Sequence, residues 1–127
     1  MTEKKQVFTE AAPKPIGPYS QAVKAGGALY VSGQLGVDRT TGELAPDVRE
    51  QAALALKNLG AILESEKLSC SSVVKTTVFL ASLEDFAAVN EVYASFFTGS
   101  TPPARSCVQV SKLPKGALVE IEAVAVY

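Results

Sequence analysis

With 127 residues and a formal net charge of −1 from 12 basic and 13 acidic side chains, the chain reads as one domain spanning 1–127. It has no general electrostatic pull toward nucleic acid or anionic membrane. Hydrophobic residues make up 47% and charged residues 20%, a balance that buries a core without disulfides or metals. Histidine is absent, which removes Ser-His-Asp and Cys-His catalysis and the usual zinc sites and leaves acid–base work to carboxylates, Tyr, Lys, Cys, backbone or water.

In chain order, residues 5–9 read as a short edge strand, and Pro13, Pro15, Gly17 and Pro18 make 10–18 an irregular loop. Residues 19–24 and 28–34 read as strands joined at Ala25-Gly26-Gly27 into a hairpin, with Gly33 placed for a bulge or a close backbone approach. Residues 36–46 form a loop whose Asp38-Arg39-Thr40-Thr41-Gly42 turn is too poor in carboxylates to hold calcium. Val48, Ala52, Leu56, Leu59, Ile62 and Leu63 recur at helical spacing and predict a long helix over 47–67. A β-branched strand at 73–81 follows. A second helix over 82–97 has Leu83, Phe86, Val89, Val92 and Tyr93 on one stripe, and Ser82 with Asp85 resembles a capping box. Strands at 104–110 and 117–127, joined through Leu113-Pro114-Lys115-Gly116, close the chain as an expected hairpin.

The order β-β-β-α-β-α-β-β predicts an α+β fold: a six-stranded sheet with two helices on one face. The other face must meet water or another chain, and its Val and Ile content favours an oligomer. Two cysteines without a Cys-x-x-Cys spacing point to a reducing compartment. Residues 1–6 lead into no apolar run and no stretch reaches transmembrane length, so the expectation is a cytoplasmic protein, with an organelle left open.

The segment Pro102 to Val110 concentrates the chemistry. Strand alternation puts Arg105, Cys107 and Gln109 on one face, and Ala104, Ser106, Val108 and Val110 on what reads as the packed face. Glu120 and Glu122 share a face of the last strand, about 7 Å apart. A hairpin brings Arg105 and a glutamate onto one surface, where they are either a cross-strand ion pair or a carboxylate-binding fork beside a general base. Cys107 is either a small packed residue or a backbone contact; without histidine its thiol is a poor nucleophile. Tyr19 is a packed aromatic or a pocket hydroxyl, and Asn90 faces water or bonds a neighbouring loop. There is no phosphate loop and no metal-ligand cluster.

Seven separated motifs carry a resemblance over residues 6–127: Ile16-Gly17-Pro18-Tyr19-Ser20-Gln21-Ala22, Val31-Ser32-Gly33-Gln34, Val74-Lys75-Thr76-Thr77-Val78, Asp85-Phe86 with Val89-Asn90, Pro103-Ala104-Arg105-Ser106, Leu113-Pro114-Lys115-Gly116 and Glu120-Ile121-Glu122-Ala123. Together they resemble the RidA family, also called the YjgF family. The resemblance implies a chorismate-mutase-like fold of the bacillary type, and a homotrimer with active sites between subunits. It implies hydrolytic deamination of 2-imino or enamine acids such as 2-iminobutanoate and 2-iminopropanoate to 2-oxo acids and ammonia, without cofactor or metal, protecting pyridoxal-phosphate enzymes from damage. By the same resemblance Arg105 holds the substrate carboxylate and Glu120 orients or activates water. Gly33 and Cys107 offer backbone contacts, Tyr19 enters from across the subunit interface, and Asn90 supports the site. Pro102 stands where the family often has an aromatic residue, at one wall of the pocket. Two further readings stand beside the enzyme: a ligand-binding or regulatory trimer, and an endoribonuclease or translation inhibitor. Neither the lack of histidine nor the charge balance favours the last.

Overall fold

The computed structural model describes residues 3–127; Met1 and Thr2, the start of the segment read as lacking a signal sequence, lie outside them. Six strands form one sheet: β1 (Lys5–Val7), β2 (Ala22–Ala25), β3 (Ala28–Leu35), β4 (Val73–Leu80), β5 (Ala104–Gln109) and β6 (Val119–Val126), in the spatial order β1-β2-β3-β6-β4-β5. All neighbours are antiparallel except β4 and β5. Two helices, α1 (Val48–Ser65) and α2 (Phe86–Phe96), pack together; α1 lies on β3 and β6. The expected six-stranded mixed sheet with two helices is therefore observed.

The core lies between α1 and the sheet. Leu56, Leu59, Ile62 and Leu63 from the helix meet Leu29, Val78, Ile121 and Ala125 from the strands, all buried. Burying each such large aliphatic side chain stabilises the fold by about 1.5–3 kcal/mol. Asp47 starts α1: its carboxylate accepts from the Glu50 backbone N–H, satisfying one of the free donors of the first turn. Gly36 passes so close beneath α1 that a Cβ there would meet the Gln51 backbone. Among the described residues no helix is long and apolar enough to cross a membrane.

Several boundaries differ from expectation. Tyr19 to Gln21 is not strand, because that backbone is taken up otherwise. The Ser20 carbonyl accepts from the Ser32 hydroxyl, and the Gln21 carbonyl accepts from the Ser32 N–H. The Gln21 amide, buried, donates to the Thr9, Ala12 and Pro13 carbonyls and so pins the proline-rich loop. The second helix starts at Phe86 rather than at Ser82. Leu83–Asp85 is a 3-10 turn capped by the Ser82 hydroxyl, which accepts from Glu84 N–H, and Asp85 makes no side-chain cap.

The last two strands do not form a hairpin. β5 is an edge strand parallel to β4, and β6 lies on the other side of β4, paired with β3 as well. The connection from β4 through α2 is long enough for a parallel crossover, and the 3-10 turn Pro114–Gly116 lets the chain step across β4. The face assignment of β5 is also reversed. Arg105 and Cys107 are in register with Thr76 and Val78, which are fully buried, and Cys107 packs on the core. Ser106 and Val108 face the uncovered side instead.

Candidate active site

The predicted site residues fall into two groups on opposite faces of the sheet. On the helix face, Arg105 sits on the edge strand with α2 above it. Its Nη1 donates to Asn90 Oδ1 at 2.6 Å, and its Cζ lies 4.8 Å from the Tyr93 ring centroid and 5.6 Å from that of Phe86. Phe86, Asn90 and Tyr93 are spaced i, i+4, i+7 and so lie along one face of α2. This explains a polar residue in an otherwise apolar stripe: Asn90 holds the guanidinium between two rings. Cys107 is one step farther along this face. Its burial pushes the thiol up in pKa, outweighing the opposing pull of the Arg105 charge, so the thiol stays protonated at neutral pH.

The surface expected to carry Arg105 with Glu120 or Glu122, as an ion pair or as a fork beside a base, does not form within one chain. The glutamates alternate onto the face opposite Arg105, as the register of Thr77 with both Ser106 and Glu122 and of Phe79 with both Val108 and Glu120 shows. Among the described residues the ion pairs are Lys24–Glu66 and Arg49–Glu91, and no carboxylate neutralises Arg105.

The second group lines a cleft of about 550 Å³ on the other side. Tyr19, Gly33 and Glu120 meet there with Pro13, Ile16 and Lys115. Gly33 lies in a bulge between Val31 and Gln34, where β3 shifts register against β6. A Cβ on Gly33 would lie 2.7 Å from the Glu120 carboxyl carbon, so only glycine leaves that carboxylate where it is. Burial, and secondly the Glu122 charge, raise the Glu120 pKa above the ordinary carboxylate range. Tyr19 is half exposed and therefore available to a ligand. Lys115, in the left-handed region at φ 61°, donates to the Gly42 carbonyl at 2.9 Å and fixes the rim of the cleft.

One chain thus brings Tyr19, Gly33 and Glu120 together, and separately Arg105, Asn90 and Cys107. Sequence reasoning named Phe86 and Tyr93 only as core stripe, and it passed over Thr76, whose hydroxyl meets the Tyr93 hydroxyl at 2.7 Å. The signal available was Asn90 itself, midway between two aromatics at helical spacing.

The family model described as Endoribonuclease L-PSP matches residues 9–127. The chain belongs to that family, the YjgF/RidA family. It is 52% identical over 124 residues to the mouse 2-iminobutanoate/2-iminopropanoate deaminase, covering 97% of this chain and 91% of the mouse protein. It is likewise 52% identical over 123 residues to a RutC family protein of Pyrococcus horikoshii, covering 96% and 97% of the two chains. Among solved structures, Escherichia coli TdcF with bound serine superposes with a TM-score of 0.93 at 48% identity, covering 97% of this chain and 98% of the TdcF chain. Relatives at about half identity that carry the deaminase name support an imine deaminase here as well.

Proposed function

We propose that the protein hydrolyses small 2-imino acids, 2-iminobutanoate and 2-iminopropanoate, to the 2-oxo acid and ammonia. The observation that carries this reading is Arg105: a guanidinium seated between two aromatic rings, tied to Asn90, and left without a carboxylate partner among the described residues. Such a fork matches a substrate carboxylate through two parallel hydrogen bonds. The deaminase names of relatives and the serine bound to TdcF, itself an α-carboxylate ligand, agree with it.

In this reading the two groups of residues meet between copies of the chain in a homotrimer of the chorismate-mutase-like kind. Arg105, Asn90 and Cys107 come from one copy, and Tyr19, Gly33 and Glu120 from the next. The uncovered sheet face, with Tyr30, Val108 and Val126 substantially exposed, supplies apolar area for that assembly. Glu120 orients a water against the imine carbon. Water adds across C=N to give a carbinolamine, a proton passes to nitrogen, and ammonia leaves as the carbonyl forms. An iminium carbon is already electrophilic, so positioning supplies most of the acceleration, and neither cofactor nor metal is required. The cytoplasm, where pyridoxal-phosphate enzymes release such imines, suits this role.

The test is a coupled assay in which threonine dehydratase forms 2-iminobutanoate in the presence of semicarbazide. The wild type is expected to suppress semicarbazone formation and Arg105→Ala to leave it unchanged. A wild type that does not compete at all removes the deaminase reading in favour of a binding role.

A further inference from the structure

The support of Arg105 forms a closed circuit. The Arg105 backbone is in register with Thr76 on β4. The Thr76 side chain, fully buried, meets the Tyr93 hydroxyl at 2.7 Å, and the Tyr93 ring in turn lies 4.8 Å from the Arg105 guanidinium carbon. Tyr93 also packs against Phe97, with ring centroids 4.6 Å apart and the rings tilted by 42°. Every link but the guanidinium is buried core, so the ring is the more constrained partner of the pair and the exposed guanidinium the less constrained one.

We propose that Tyr93 is a positioning residue for Arg105: tethered to Thr76, its ring sets the guanidinium plane before a carboxylate arrives. The proposal rests on the carboxylate-binding reading of Arg105. An arginine on an edge strand samples many rotamers in water, and ordering them on binding weakens affinity. A ring face attracts the cation and restricts its plane, while Asn90 takes one Nη1 donor; the remaining donors stay free for the ligand. Phe86, on the open side and partly exposed, completes the slot without closing it.

The bland alternative is that Tyr93 is only a core aromatic whose hydroxyl needs a partner. The pair exchange Thr76→Val with Tyr93→Phe separates the two. It keeps the ring, removes both buried hydroxyls together and leaves no unsatisfied polar group, so the fold is expected to persist. If the tether positions Arg105, KM for 2-iminobutanoate rises about threefold to tenfold with kcat within about twofold, the pattern of lost binding common to ground and transition states. In an Arg105→Lys background, where the cation has no plane to set, the exchange should have no further effect on KM. Unchanged KM in the folded double variant overturns the proposal, as does an equal effect in the lysine background.

A direct readout does not depend on turnover. The chain has three arginines, Arg39, Arg49 and Arg105, so their guanidinium signals are resolvable by nitrogen-15 NMR. Restricted rotation at Arg105 relative to Arg49 in an Arg49-freeing Glu91→Gln variant supports the proposal, and equally free rotation at the two overturns it. A wild type inactive toward imines, but with an immobile Arg105, overturns the deaminase reading and not the positioning one.

Discussion

The Arg105 end and the Glu120 end of the molecule hold opposite charges by different means. Arg105 is exposed and is organised by neighbours in space: Asn90, Phe86 and Tyr93 on a helix 12 to 19 residues away in sequence. Glu120 is organised by its own sheet, where the β3 bulge leaves Gly33 against it and partial burial raises its pKa. The first region holds its guanidinium open to water beside the Tyr93 and Phe86 rings. The second makes its charge sensitive to pH by withdrawing it from water. They also occupy opposite faces of the sheet, which is why the proposed site draws one region from each of two copies.

A mixing experiment tests both regions at once. Arg105→Ala and Glu120→Gln should each lose at least about a hundredfold in kcat/KM, since each removes a contact that the proposed mechanism assigns to the reacting molecule. Co-assembled in equal amounts, they should regain roughly a quarter of wild-type activity, because random pairing restores that share of composite sites between copies. No recovery at all in mixed oligomers, verified by mass spectrometry, would mean that the two regions do not share a site.

Gly33→Ala tests the second region alone. The new Cβ displaces the end of a flexible side chain rather than backbone, so thermal stability should change by less than about 1 kcal/mol while kcat/KM falls about tenfold. A large stability loss with normal activity would make the bulge a purely structural feature.

The pH dependence distinguishes the two ends more gently. Because burial and Glu122 raise the Glu120 pKa in the fold, the folded protein retains that proton at pH values where the unfolded chain, near the ordinary glutamate value of 4.5, has lost it. This site therefore stabilises the fold fully below the unfolded value, and that contribution is lost as pH rises through the higher folded value. Melting curves between pH 4 and neutrality should lose this decline in Glu120→Gln. The acid limb of kcat/KM should lie above the ordinary carboxylate range in the wild type and move down in Glu122→Gln, which removes the secondary cause. A limb that ignores Glu122 would assign it to another group.

The smallest effect is expected far from both regions. Arg49→Gln breaks a 2.8 Å pair with Glu91 that is exposed on both sides, and should alter stability by no more than about 1 kcal/mol and activity not at all.

Much of this architecture was legible from pattern. Helical spacing of Leu56, Leu59, Ile62 and Leu63 and the β-branched run at Val73 to Val78 dictate elements through local periodicity, and these appear as expected. The chemistry-bearing types were legible too, because a histidine-free chain has few candidates. What spacing alone could not supply was strand order. Whether β5 pairs with β6 or with β4 depends on contacts between segments distant in sequence, and it reverses which face of the sheet Arg105 occupies. Tyr19 to Gln21 looked like strand because its residues suit one, yet the Ser32 and Gln21 hydrogen bonds across 8 to 12 residues claimed that backbone first. The sequence by itself determined the element types and the reactive inventory, since those follow from side-chain periodicity and composition. Which of those reactive side chains share a surface follows from face and register, and these are set by long-range pairing that no local pattern encodes.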